Sequence, residues 1–140
     1  MAVTVGDVFS RRHVFTAEDI SDFARRAGDL NPLHHDAEKA TKLRFGGLIA
    51  SGPQTSGLLM GLAAAHLSKE HDTVGLDFSF RFRRAVPAGT DAVLSWEITS
   101  IEPNPKLGGD LVAFKGEITD AAGTRYLTAE GRAVLWPLAG

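Results

Sequence analysis

The sequence predicts an α+β domain in which an antiparallel sheet of about five strands wraps around one long central helix. Two observations carry this. From Pro53 to about Lys69 the chain holds Leu58, Leu59, Met60, Leu62 and Leu67 among many glycines and alanines. It is apolar most of the way round, as a buried helix is. After it the pattern switches to a period of two: Phe78, Phe80 and Phe82 alternate with Asp77, Ser79, Arg81 and Arg83. Alternation of this kind marks half-buried strands.

The remaining elements follow in order. Val8 to Phe15 is a first strand with weak alternation. Thr16 is a helix N-cap with Asp19 in a capping-box position. Ile20, Phe23, Ala24 and Ala27 recur at helical spacing, so Ala17 to Ala27 is an amphipathic helix that Gly28 ends. Asp36 can cap a short helix over Ala37 to Lys42, and a Gly-rich connection from Phe45 to Ala50 follows. Ser51 or Gly52 opens the long helix, with Pro53 near its first turn, where a missing N–H costs little. Gly57, Gly61, Ala63, Ala64 and Ala65 would let a sheet wrap closely around that helix, and the Gly57/Gly61 pair signals close packing rather than a membrane dimer. Strands through Leu94–Ile98, Leu111–Thr119 and Arg125–Leu135 complete the sheet, punctuated by Pro87-Ala-Gly89, Asn104-Pro105, Gly108-Gly109 and Ala122-Gly123. Trp96, Trp136 and the Phe stripe are core or interface residues first. Edge strands need cover, so a dimer is expected.

The bulk composition narrows the function. One hundred and forty residues, 44% hydrophobic and 23% charged, suit a single domain over 1–140 with a real core. A net charge of -2 gives no electrostatic case for nucleic acid or a membrane surface. The absence of cysteine excludes disulfides, thiolate catalysis and Cys-based zinc sites, and fits a cytoplasmic setting. The opening Met-Ala-Val-Thr-Val-Gly-Asp lacks a basic stretch followed by an apolar run, so no secretory signal is expected.

The most informative stretch is Gly28-Asp29-Leu30-Asn31-Pro32-Leu33-His34. It puts a carboxylate and an imidazole five residues apart. Helical spacing cannot hold that pair on one face, and Pro32 pushes Asn31 out of the helical region. The peptide is a rigid turn that can aim Asp29 and His34 at one point, where they could hold a water and manage its protons. Gly52 supplies a second piece. At the start of the long helix, free N–H groups and the helix dipole favour negative charge, and a carbonyl oxygen bound there would be stabilised as it gains charge. An acid–base pair with an oxyanion donor is sufficient to add water to an α,β-unsaturated thioester, with no metal or organic cofactor. The spacing of Asp29, His34, His35 and Asp36 matches no metal site, so none is expected. His35, next to His34 in an extended turn, is expected at the surface. His13, His66 and His71 have no partner legible in the sequence.

The Gly28–His34 segment resembles the hydratase 2 motif of the MaoC-like, (R)-specific enoyl-CoA hydratases. Arg44-Phe-Gly-Gly-Leu-Ile-Ala-Ser-Gly52 is similar to the family's approach to its central helix, and Phe80 to Gly89 to the strand and turn that follow. The resemblance implies a hot-dog fold, a homodimer, and reversible hydration of a trans-2-enoyl thioester, carried by coenzyme A or acyl carrier protein, to an (R)-3-hydroxyacyl thioester. It implies Asp29 as base toward the water and His34 as the group that holds the same water and passes a proton to the α-carbon. Asn31 would brace the turn, and the Gly52 amide would bind the thioester oxygen. Ser51, where family members commonly show His or Pro, joins the substrate-binding set. Pro53 and Gln54 are further departures, which bear on the acyl pocket. Arg81, Arg83 and Arg84 form a small basic patch suited geometrically to coenzyme A phosphates; its plainer reading is a solvated sheet face.

Two other functions remain open on the sequence. A thioesterase on the same architecture needs a carboxylate aimed at the thioester carbon, whereas the Asp/His pair favours alkene hydration. A non-catalytic acyl-thioester-binding subunit would have no need of both groups.

Overall fold

The computed structural model describes residues 3–139; Met1 and Ala2 of the N-terminal stretch considered above, with Gly140, lie outside them. In chain order the elements are β1 (Val8–Phe15), α1 (Ala17–Arg26), a 3-10 turn η1 (Pro32–His34), α2 (Ala37–Thr41), α3 (Gly52–Leu67), β2 (His71–Phe82), β3 (Thr90–Asn104), β4 (Gly109–Asp120) and β5 (Arg125–Pro137). The strands form one five-stranded sheet in the order β1-β3-β4-β5-β2, and every pairing is antiparallel. The α+β architecture is the one the alternation and the apolar helix predict.

The sheet curls because its long strands carry irregularities. The register shifts between Gly75 and Asp77 in β2, and between Ile98 and Ser100 in β3. An extra residue bends a strand and raises its twist. α3 lies in the resulting hollow. The Trp96 indole of β3 donates to the Leu59 carbonyl of α3 at 2.7 Å, so the broadest side chain of the core also satisfies its one polar atom. Around that contact sit Phe15, Leu62, Leu67, Leu94, Ile98, Phe114, Ile118 and Leu127, all buried. Gly116 of β4 makes room for the indole, since a Cβ there would lie 2.5 Å from Trp96 Cε3. Phe78 and Phe80 turn inward, their rings stacked at 6.1 Å.

Two expectations change. α3 is not covered all round: Met60, Gly61, Ala64 and Ala65 are exposed. Apolar composition alone therefore did not give burial, because the curled sheet covers one side of the helix. Gly57 also serves a different neighbour, while Ala63 is buried in the core. Gly57 receives Phe23 of α1, whose Cζ lies 3.2 Å from where a Cβ would stand, while Gly61 has nothing near. It is a helix, not the sheet, that approaches at Gly57.

Candidate active site

α1 delivers Asp29 through a defined stop. Thr16 caps its start, Oγ1 accepting from the Asp19 N–H at 3.1 Å. At its end Gly28 takes φ +77, its N–H donating to the Arg25 carbonyl at 3.1 Å and that of Asp29 to the Ala24 carbonyl at 2.8 Å. This pair of reversed bonds around a left-handed glycine is the Schellman stop. Asp29 is thus the first residue past a helix end whose carbonyls are satisfied.

The turn itself is held by its own polar atoms. The Asn31 N–H donates to Asp29 Oδ1 at 3.1 Å, and Asn31 Oδ1 accepts from the Leu33 N–H at 3.1 Å. Asn31 is extended, with ψ 123, as the residue before a proline must be. Pro32 opens η1, which ends on His34.

His34 is buried and its Nδ1 lies 2.8 Å from the Ile49 carbonyl oxygen. A carbonyl cannot donate, so Nδ1 carries the proton and, in the neutral ring, Nε2 is a bare acceptor. That Nε2 stands 3.4 Å from Asp29 Oδ2. Two acceptors facing each other form no bond. One water at ordinary distances of ~2.8 Å can donate one proton to each. The chain therefore presents a carboxylate oxygen and an imidazole nitrogen to the same point.

Ile49 also links this pair to Gly52. Its N–H donates to the Leu33 carbonyl at 3.1 Å, while its neighbours Leu48 and Ala50 pair with Ala88 and Val86. Ile49 bridges to Pro87. Gly52 follows Ile49 by three positions, so it lies within roughly 10 Å of the residue that holds His34. Ser51 is the N-cap of α3, its Oγ accepting from the Gln54 N–H at 3.2 Å. The Gly52 N–H has no protein acceptor among the described residues and stands at the positive end of a 16-residue helix. The Phe82 ring covers the Gly52 Cα, at 3.2 Å from a virtual Cβ, and is itself largely exposed.

Of the sequence-predicted residues, Asp29, Asn31 and His34 come together in the turn, with Gly52 and Ser51 at the adjoining helix start. Arg81 and Arg83 do not join them. Arg81 and Arg83 line a groove of about 630 Å³ on the sheet face away from α3, beside Lys115, Glu117 and Glu130. Arg83 Nε donates there to Thr128 Oγ1 at 3.1 Å. Arg84 anchors its backbone N–H on the Tyr126 carbonyl at 3.2 Å. Among the described residues no cluster of His, Asp and Glu is arranged to hold a metal ion.

His35 departs from its expected surface position. It is half-buried, its Nε2–H donating to the Asp29 carbonyl at 2.6 Å and its Nδ1 accepting from Ser21 Oγ at 2.8 Å. The backbone after His34 turns back toward α1 rather than staying extended, so adjacent side chains need not oppose each other. The Ile49 carbonyl is a second contributor that reasoning from side chains missed, because a backbone atom leaves no mark in a sequence.

With this geometry in hand, comparison with known proteins is decisive on one point. A family model described as the MaoC like domain matches residues 4–107. The chain belongs to the MaoC-like family. A UPF0336 protein of Streptomyces avermitilis is 33% identical over 120 residues, covering 80% of this chain and 77% of that one. The mitochondrial 3-hydroxyacyl-[acyl-carrier-protein] dehydratase of Arabidopsis thaliana is 34% identical over 87 residues, 62% of this chain and 51% of its own. Among solved structures, the (R)-hydratase from A. caviae superposes with a TM-score of 0.84 at 23% identity, over 94% of this chain and 96% of that one. The MaoC-like fold is the hot-dog: the five-stranded antiparallel sheet wrapped on α3 matches these neighbours.

Proposed function

We propose that this MaoC-like chain is a hydro-lyase that adds water across a trans-2-enoyl thioester, giving an (R)-3-hydroxyacyl thioester, or runs the same step in reverse. The observation that carries the reading is the 3.4 Å approach of His34 Nε2 to Asp29 Oδ2 with His34 Nδ1 committed to Ile49. Asp29 takes a proton from the shared water as its oxygen bonds to C3. The π electrons of C2=C3 move onto the thioester oxygen, which the Gly52 N–H stabilises as an enolate. The proton returns through His34 to C2, so that one water is added and nothing else is consumed. Asn31 keeps the Asp29 carboxylate turned toward His34. Family membership and the hydratase and dehydratase names of its neighbours support the reaction class.

The reading includes a homodimer acting on a coenzyme A or acyl-carrier thioester. α3 packs against the edge strand β2, and both leave apolar side chains bare: Met60 on the helix, Val74 and Leu76 on the strand. A second copy pairing along β2 would cover them. Arg81, Arg83 and Arg84 remain the candidates for the carrier's phosphates. Among the described residues no helix is long and apolar enough to cross a membrane.

The test follows two signals at once when the protein meets short enoyl-CoA esters. Loss of the conjugated enoyl absorbance without free thiol supports hydration. Thiol release with the conjugation intact would instead identify a thioesterase, and tight binding with neither signal a non-catalytic subunit.

A further inference from the structure

A second polar cluster lies at the other end of α1, joining three elements. His13 of β1 donates Nε2–H to Asp19 Oδ2 at 2.7 Å. Gln54, in the first turn of α3, donates its Nε2 to the same oxygen at 2.7 Å. Gln54 is fully buried, 35 positions from its partner. A carboxylate only accepts, so the amide must turn its NH2 toward Asp19. Its Oε1 is then left buried with no partner. Such an orphan is costly, and each one asks for a reason. A leucine or methionine would fill similar space without it. What glutamine adds at this place is the bond to Asp19.

The location of that bond gives it meaning. Gln54 stands two positions after Gly52 in the same helical turn, so its amide and the Gly52 N–H move together. Asp19 begins the helix whose last turn delivers Asp29. A second contact, Phe23 on Gly57, holds α1 against α3 one turn further along. α1 is therefore fastened to the first turns of α3 at two points, one polar and one apolar.

We propose that Gln54 is a positioning residue: through Asp19 it fixes the Gly52 amide relative to the Asp29–His34 pair, keeping the thioester oxygen in register with the activated water. The inference rests on the hydratase reading above and concerns how that site is aligned. A small misplacement of an oxyanion donor is enough to matter, since an error of ~1 Å can cost on the order of 100-fold in rate.

The test compares Gln54→Leu and Gln54→Met with Asp19→Asn, which keeps an acceptor oxygen for the Gln54 amide. Two quantities are measured: kcat and KM for crotonyl-CoA, and the red shift of bound p-dimethylaminocinnamoyl-CoA, whose absorbance moves as its carbonyl is polarised. Both Gln54 variants should lose about 10- to 100-fold in kcat with KM nearly unchanged. They should bind the chromophore with a smaller red shift, while Asp19→Asn stays near the parent in both. A full red shift and full kcat in either Gln54 variant would overturn the proposal, since the amide would then only fill space. So would an Asp19→Asn variant as impaired as Gln54→Leu, which would put the charge, not the bond, in control. If one leucine or methionine variant fails to fold, the red shift of the other decides. A parent protein that neither hydrates crotonyl-CoA nor shifts the chromophore removes the hydratase reading itself, an outcome distinct from failure of the Gln54 variants alone.

Discussion

His34 holds its Nε2 3.4 Å from the Oδ2 of Asp29, although the two come from opposite sides of a proline turn. The distance is maintained from outside the pair. Asp29 is fixed by the α1 stop and by the Asn31 N–H, and His34 by the Ile49 carbonyl. Neither group depends on the other for its position, so each can be changed alone, and Asp29→Asn keeps an acceptor oxygen for the Asn31 N–H that holds the turn.

His35 should matter more than an exposed neighbour would. It ties the Asp29 carbonyl to Ser21 of α1. His35→Ala is expected to lower kcat for enoyl-CoA hydration by roughly 10-fold, since it loosens the turn without removing a reacting group. Ser21→Ala, which leaves the bond to Asp29 intact, should have a smaller effect. Steady-state assays of the two variants check the order.

Gly52→Ala tests access to the helix start. Nothing in the backbone forbids the change, but the new methyl meets the Phe82 ring at 3.2 Å. Phe82 is exposed and can swing away, so thermal stability should hold while KM for the thioester rises. Adding Phe82→Ala to the same chain should restore KM. Paired melting curves and kinetics would show whether the ring is what transmits the effect.

Much of this arrangement was legible in the sequence, and the exceptions have physical causes. Thr16, Gly28, Asp36 and Ser51 announce helix ends because capping is a local matter of one side chain or one left-handed glycine. The Asp29–His34 turn was legible because Pro32 restricts the backbone by itself. The first half of β2 was not, since Val74 and Leu76 face solvent beside a bulge and the period of two breaks there. The partner of Gly57 was assigned to the sheet, because a small residue states only that something comes close. His13, without a legible partner, bonds Asp19, and His66 stacks on Phe9 at 3.9 Å. The first contact crosses from β1 to α1 and the second from β1 to α3, and a pattern within one element encodes neither.

Gly116→Ala is a stability test remote from the site. A methyl there would stand 2.5 Å from the buried Trp96 indole and 2.7 Å from the Ser95 backbone carbonyl, neither of them the free end of a flexible side chain. Overpacking of this kind costs about 1–3 kcal/mol. Denaturant unfolding should show that loss, with specific activity of the folded fraction unchanged.

Asp120 sets a pH dependence of stability. It accepts from the Tyr126 hydroxyl at 2.8 Å and from the Ala122 and Thr124 amides at 3.0 and 2.9 Å. These bonds, the Tyr126 hydroxyl first, hold its carboxyl below the ordinary carboxylate value. The native state therefore favours the ionised form. Its contribution is fully present above the ordinary value and is lost as pH falls through that range and then through the lower native one. Asp120→Asn should melt below the parent at neutral pH, and the gap should narrow as pH drops under about 4. Melting temperatures across pH check the sign.

The most direct test removes one member of the pair at a time. Asp29→Asn and His34→Ala should each keep the parent's circular dichroism, with His34→Ala melting somewhat lower because the Ile49 carbonyl loses its partner. Each should lose hydration of crotonyl-CoA by roughly 10²–10⁴-fold, as removal of a positioned acid or base does. A folded Asp29→Asn enzyme that consumes the enoyl absorbance as fast as the parent would contradict the account, because the water would then be activated without the carboxylate.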